Sequence, residues 1–123
     1  KAFVVGIWWR DKLVGVIGHN RIDWDNRIAH TGYWLAADAQ GRGIMTRSCR
    51  ALVQHAFDTL ELNRIEICTA IGNHRSAAIP TRLGFAREGI RRQGEQLHGH
   101  FVDLNVFALL RSTWSLREAM QSQ

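Results

Sequence analysis

Apolar and β-prone residues fill Phe3–Arg10, a polar break follows at Asp11-Lys12, and the apolar pattern resumes over Leu13–Ile17. Two such runs around a short polar break predict a β-hairpin. Asp23-Trp24-Asp25-Asn26 is a cluster of turn-forming residues, and Thr31–Ala36 reads as a short aromatic strand. The period then changes. Ile44, Met45, Cys49, Leu52, Val53, Ala56, Phe57 and Leu60 recur at spacings of three and four, which predicts an amphipathic helix of about four turns. Arg64–Ala70 predicts another strand. Asn73 is placed to cap a second helix through Leu83. Pro80 removes a backbone donor inside that segment and predicts a short or distorted helix, with Gly84 as its stop. Phe85–Leu97 and Phe101–Leu110 predict two strands joined at His98-Gly99, and the last ten residues are polar and predict a frayed end.

The predicted order is β-β-β-α-β-α-β-β, without internal repeat, linker or low-complexity segment. A strand–helix–strand centre inside a run of hairpins implies an α/β layer fold with a mostly antiparallel sheet. The strands Thr31–Ala36 and Arg64–Ala70 should be parallel, because a helical crossover joins them. The chain has 123 residues and a 46% apolar composition. That is one domain, read as residues 1–114 with a tail over 115–123, and it excludes a disordered chain. No apolar run approaches the roughly 20 residues needed to cross a membrane. The opening Lys1-Ala2-Phe3-Val4-Val5 has no signal-peptide layout, which points to a cytoplasmic protein. It also lacks an initiator Met, from which an upstream segment is expected. Cys49 and Cys68 fall in helix and strand patterns and read as buried thiols, without metal-ligand spacing. The net charge of +5 fits an anionic cofactor, a nucleic acid or a merely basic surface, and does not choose among them.

The strongest chemical signal is Gln40-Gly41-Arg42-Gly43-Ile44-Met45-Thr46, between a strand and a helix. Glycines let the backbone turn sharply and approach a ligand closely. The first turn of the helix offers free N–H groups and the positive end of the dipole, so the segment is either a phosphate cradle or an ordinary glycine-containing turn. It is neither a Walker loop, lacking Gly-Lys-Ser/Thr, nor a dinucleotide fingerprint, lacking the third glycine.

Gln40-x-x-Gly43-x-Met45 resembles the pyrophosphate motif of the GNAT superfamily of N-acetyltransferases, with Met45 where the family has Gly or Ala. Gly32-Tyr33-Trp34-Leu35, Leu62-Asn63-Arg64-Ile65-Glu66-Ile67, Asn73-x-x-Ser76, Leu83-Gly84-Phe85 and Gly99-His100-Phe101-Val102-Asp103 extend the likeness to the ribosomal-protein-serine/alanine N-terminal acetyltransferase branch. The ordered set spans residue 3 to about 114. The resemblance implies a GNAT acyl-CoA N-acyltransferase fold: a mixed, mostly antiparallel sheet with splayed central parallel strands. No counterpart of the family's N-terminal strand and first two helices is visible in this chain, and they are expected in the upstream segment. The resemblance further implies acetyl-CoA as cofactor. Its pantetheine arm would lie in the splay beside backbone groups of Tyr33, Trp34 and Leu35. The cofactor would bind at the loop Gln40, Gly41, Arg42, Gly43, Ile44, Met45 and Thr46, with the N–H groups from Arg42 to Thr46 holding the pyrophosphate. Asn73 would bond the arm, and Arg75, with Arg42 and Arg47, would lie near the adenosine phosphates.

Acetyl transfer to an amine needs a neutral amine, support for the thioester oxygen and a proton for the departing thiolate. Ser76 is the candidate proton donor by the family pattern, with helix capping as its alternative. The family's more usual tyrosine acid is vacant, since Tyr33 lies far upstream. Glu66 is the candidate base, with an ion-paired surface residue as its alternative. Asp38, His98, His100 and Asp103 are weaker candidates, Asp103 being better placed to order the last hairpin. An α-amine, with pKa near 8, needs a strong base less than a lysine near 10.4 does. The resemblance, which this preference agrees with, implies the N-terminal α-amine of a (ribosomal) protein as the acceptor. A small amine such as a polyamine or aminoglycoside is the alternative, as is a non-catalytic coenzyme A-binding role. No metal, membrane or direct nucleic-acid partner is expected; a homodimer is compatible with the sequence.

Overall fold

The computed structural model describes residues 3–121. Six strands form one sheet in the order β1-β2-β3-β4-β6-β5: β1 (Phe3–Trp9), β2 (Lys12–Asp23), β3 (Ile28–Leu35), β4 (Arg64–Ala70), β5 (Ala86–Leu97) and β6 (His100–Leu110). The helices are α1 (Ile44–Asp58), α2 (His74–Arg82) and α3 (Arg111–Gln121). All neighbouring strands are antiparallel except β3 and β4, which the α1 crossover makes parallel as expected. No helix among the described residues is long and apolar enough to cross a membrane.

The β3–β4 pairing is short. It runs from Ile28↔Arg64 to Thr31↔Ile67 and stops, although β3 continues to Leu35 and β4 to Ala70. The two strands part there, which is the splay the resemblance implies. Beyond the last pair, the β4-facing edge of Gly32–Leu35 has no strand partner among the described residues.

β5 runs in the same direction as β4, since both are antiparallel to β6. The crossovers through α1 and α2 both advance toward the β5 edge, and right-handed connections then put both helices on one sheet face. The burial along β4 agrees: Ile65, Ile67 and Thr69 are buried while Arg64, Glu66 and Cys68 are half-buried on the opposite face. The core is shared by α1, α2 and the inward side of the sheet, with Cys49, Ala56, Phe57, Leu62 and Ile65 all fully buried. Both cysteines are free thiols, and burial pushes the Cys49 thiol up to about 12.

Three elements differ from the sequence reading. The third strand begins at Ile28 rather than Thr31, and its pairing with β4 runs mostly through the added residues Ile28, Ala29 and His30. The second strand reaches Asp23 rather than Ile17, because a bulge at Asn20 shifts the register between His19↔Thr31 and Arg21↔His30. A bulge breaks the alternation from which a strand is read. As far as Gln121, the expected frayed end is instead part of α3, and residues 122–123 lie outside the described residues. Trp114 is buried and packs on Phe57 with ring centroids 6.4 Å apart. The Arg50 guanidinium lies 5.1 Å over the Trp114 ring and bonds Glu118 at 2.6 Å.

Candidate active site

A cavity of about 1010 Å³ opens where β3 and β4 part. Tyr33, Trp34 and Leu35 form one wall, the loop from Gln40 with the first turn of α1 forms the floor, and Asn73, just before α2, with Arg75, Ser76, Ile79 and Arg82 of α2 closes the other side. The α2 side stands across the gap that β4 would have filled.

The loop geometry follows from its glycines. Gly41 and Gly43 have φ of +78° and +74°, a left-handed conformation that side chains with a Cβ rarely adopt. Gly43 is the residue before α1, and no side chain caps that helix. The first intrahelical donor is the Arg47 N–H, bonded to the Gly43 carbonyl at 3.1 Å. The N–H groups of Ile44, Met45 and Thr46 therefore have no intrahelical acceptor and sit at the positive end of the dipole. Met45, the departure from the family pattern, is buried in the core. Its bulk is directed inward, so the backbone of the first turn stays available.

Gln40 ties the walls together. Its Nε2 donates to the Leu35 carbonyl at 3.0 Å, and its Oε1 accepts from Arg75 Nη1 at 2.7 Å. Asn73 caps α2 by accepting the Ser76 N–H at 3.0 Å. The capping role thus falls to Asn73 and not to the Ser76 side chain, and Ser76 is half-buried on the cavity wall. Across the gap, the Tyr33 hydroxyl donates to the Ser76 carbonyl at 2.8 Å. Burial raises the Tyr33 phenol well above its ordinary value and keeps it protonated.

Every expected cofactor-contacting residue lines this cavity except Arg42. The Arg42 guanidinium lies 4.6 Å over the Trp9 ring, so its side chain braces the loop against the hairpin. Sequence reasoning did not single out Ile79 and Arg82 as cavity walls, although the helical period places both on the α2 face bordering the gap. Arg82 Nη1 approaches Thr46 Oγ1 at 3.4 Å, linking α2 to the first turn of α1.

Glu66 does not line the cavity. It pairs with His30 in the closed part of the β3–β4 ladder and accepts from Arg64 Nε at 2.9 Å. His30 Nδ1 lies 3.4 Å from Glu66 Oε1. Burial lowers the His30 imidazole below its ordinary value, against an opposing pull from Glu66. Glu66 lies on the sheet face away from the helices, the same face as Trp34, which is four residues beyond His30 on β3. The weaker candidates lie elsewhere. Asp38 forms an exposed ion pair with Lys12 at 3.6 Å. Asp103 Oδ1 accepts the Gln93 N–H at 2.8 Å and so orders the irregular part of the last hairpin. His98 and His100 flank its turn. No cluster of metal-ligating side chains exists among the described residues.

Residues 1–86 match the family described as acetyltransferase (GNAT) domain. The chain is 43% identical over 109 residues to YdaF of Bacillus subtilis, covering 89% of this chain and 60% of that protein. It is 38% identical to the ribosomal-protein-serine acetyltransferase of Escherichia coli, over 83% of this chain and 57% of the relative. The solved structure of RimL, a ribosomal L7/L12 α-N-protein acetyltransferase in complex with coenzyme A, superposes with a TM-score of 0.85 at 33% identity. That match covers 91% of this chain and 63% of RimL. The chain therefore spans about three fifths of the length of these relatives. With a family match over more than half its length, a parted β3–β4 pair and a glycine cradle at the gap, the chain belongs to the GNAT acetyltransferase family.

Proposed function

We propose that this chain binds acetyl-CoA in the gap between β3 and α2 and supports transfer of the acetyl group to the N-terminal α-amine of a protein. One observation carries the reading: the unpaired strand edge and the uncapped α1 N-terminus open into the same cavity. A single elongated ligand with an amide-rich arm and a pyrophosphate satisfies both. The free N–H groups of Ile44, Met45 and Thr46 suit the pyrophosphate, with Arg47, Arg75 and Arg82 as cations around it. The Gly32–Leu35 edge suits the amides of the arm. When bound, the thioester supplies the acyl group.

The chain's own residues then orient and exchange protons. A β3 backbone N–H at the gap is the donor for the oxygen that gains charge. The Ser76 hydroxyl, on the cavity wall, is the proton source for the departing sulfur. Glu66 is the proton acceptor for an amine arriving over the sheet face away from the helices, with His30 beside it. Holding both reactants in place contributes about 7–11 kcal/mol to such a reaction. The missing strong base inside the cavity favours an α-amine, of which about one in ten is neutral at pH 7. The relatives that act on ribosomal proteins support this acceptor, and a ribosomal acceptor would place the reaction in the cytoplasm.

The test follows thiol release from acetyl-CoA with a peptide beginning Ser or Ala. A second peptide has the same sequence, a blocked N-terminus and one free lysine. Acetylation of the first at its N-terminus, located by mass mapping, is the expected result. Modification mainly at lysine, or activity confined to polyamines, would exclude the α-amine while leaving acetyl transfer intact.

A further inference from the structure

Helix α2 lacks one of its own hydrogen bonds at the cavity wall. In an α-helix the N–H of one residue donates to the carbonyl four residues earlier, so the partner of the Ser76 carbonyl is residue 80. That residue is Pro80, inside α2. It has no N–H, and its ring crowds the same carbonyl. The Ser76 carbonyl therefore lacks its regular i+4 donor, next to buried Ile79, where an unpaired acceptor is unfavourable. The missing donor comes from outside the helix. The Tyr33 hydroxyl reaches across the gap and bonds this carbonyl at 2.8 Å. The buried phenol stays protonated, so the donor is present throughout the neutral range.

We propose that Tyr33 and Pro80 act as a pair. Pro80 frees the Ser76 carbonyl, Tyr33 takes it, and this bond sets the separation between the parted end of β3 and the first turn of α2. Tyr33 is thereby a positioning residue: it holds the wall that carries Ser76 and fixes the width of the slot for the cofactor arm. This role rests on the acetyl-CoA reading above. The second tie across the gap, from Leu35 through Gln40 to Arg75, ends in an exposed bond that water can replace. The Tyr33 tie is a single, part-buried bond with no exposed link.

The test is a double-mutant cycle with Tyr33→Phe, Pro80→Ala and the two combined. Pro80→Ala restores an N–H to the helix, so the Ser76 carbonyl no longer depends on the phenol. Tyr33→Phe is expected to weaken acetyl-CoA binding by about fivefold to tenfold in the natural background and by less than about twofold beside Pro80→Ala. In turnover, Tyr33→Phe should raise KM for acetyl-CoA and leave KM for the acceptor peptide unchanged, a split that general loss of folded protein would not produce. Equal losses in both backgrounds would overturn the pairing. Thermal unfolding of the same four ligand-free proteins gives an independent cycle, because this chain has one tyrosine and the substitution removes one phenol only. Should the natural protein fail to bind acetyl-CoA, the functional reading falls and the ligand-free cycle decides the pair: non-additive unfolding temperatures uphold it, and additive ones refute it.

Discussion

At the scale of single residues, the cradle depends on positions where a side chain does harm. Gly43 has φ +74°, and a Cβ there would meet Arg47 Nη1 at 3.0 Å. Gly43→Asp adds backbone strain and a negative charge beside the free N–H groups of α1. Acetyl-CoA affinity, measured by calorimetry on a protein with unchanged circular dichroism, should fall at least tenfold, or about 1.4 kcal/mol. Ser76 tests the opposite kind of contribution. Its backbone N–H is held by Asn73, so removing only the hydroxyl leaves the cap in place. Ser76→Ala should lower turnover by about 10²-fold or somewhat less, as loss of a general acid does, with acetyl-CoA binding little changed. Unaltered turnover would remove the Ser76 hydroxyl from the chemistry and leave protonation of the thiolate to solvent.

At the scale of elements, α3 shows how one side chain can decide whether a segment folds. Isolated helices of about 11 residues are marginal in water, and most of this segment faces solvent. Trp114 is 3% exposed, whereas Leu116 is 63% exposed. In denaturant unfolding, Trp114→Ala should cost about 3–5 kcal/mol, the range for a large buried aromatic. Leu116→Ala should stay within about 0.5 kcal/mol, as exposed substitutions do. Comparable losses from both would show that α3 is held by something other than the Trp114 anchor. The polar composition of this segment hid the anchor, since a single aromatic among polar residues has no period to reveal it. The other elements were legible: α1 from its spacings of three and four, α2 from Asn73 and Gly84, and the hairpins from their polar breaks. The bulge at Asn20 was not, because nothing local marks where a register slips.

At the scale of the whole molecule, the sheet encloses a histidine that makes stability depend on pH. His19 is fully buried on β2 and bonds Thr31 Oγ1 through Nδ1 at 2.8 Å. Burial, with a smaller contribution from nearby His55, lowers its pKa from 6.5 to about 4. The folded protein therefore binds fewer protons at this site than the unfolded chain between those values. Stability is complete above pH 6.5 and declines as pH falls toward about 4, a loss of about 3 kcal/mol when the decline is complete. His30 is shifted in the same direction and adds to it. Urea unfolding between pH 7.5 and 4.5 should show this decline, and His19→Gln should flatten it. A variant with an undiminished slope would assign the acid sensitivity to other groups.

The order of residues was enough to read the order and type of most elements, the parallel direction of β3 and β4 and the glycine-bearing entry to α1. These follow from local periodicity, turn chemistry and the handedness of crossovers, all of which act within a few residues or along one connection. It also marked nearly all of the cavity lining through motif likeness. Tertiary structure alone decided which of those side chains meet. Arg42 turns onto Trp9, because that ring belongs to a hairpin distant in sequence. Glu66 sits in the closed part of the ladder with Arg64 and His30, because pairing ends at Thr31↔Ile67 and not two residues earlier. Tyr33 meets the carbonyl that Pro80 leaves free because the strands part by the width that α2 then spans. Each outcome depends on where two segments remote in the chain come to rest against each other. Neither segment carries that information alone.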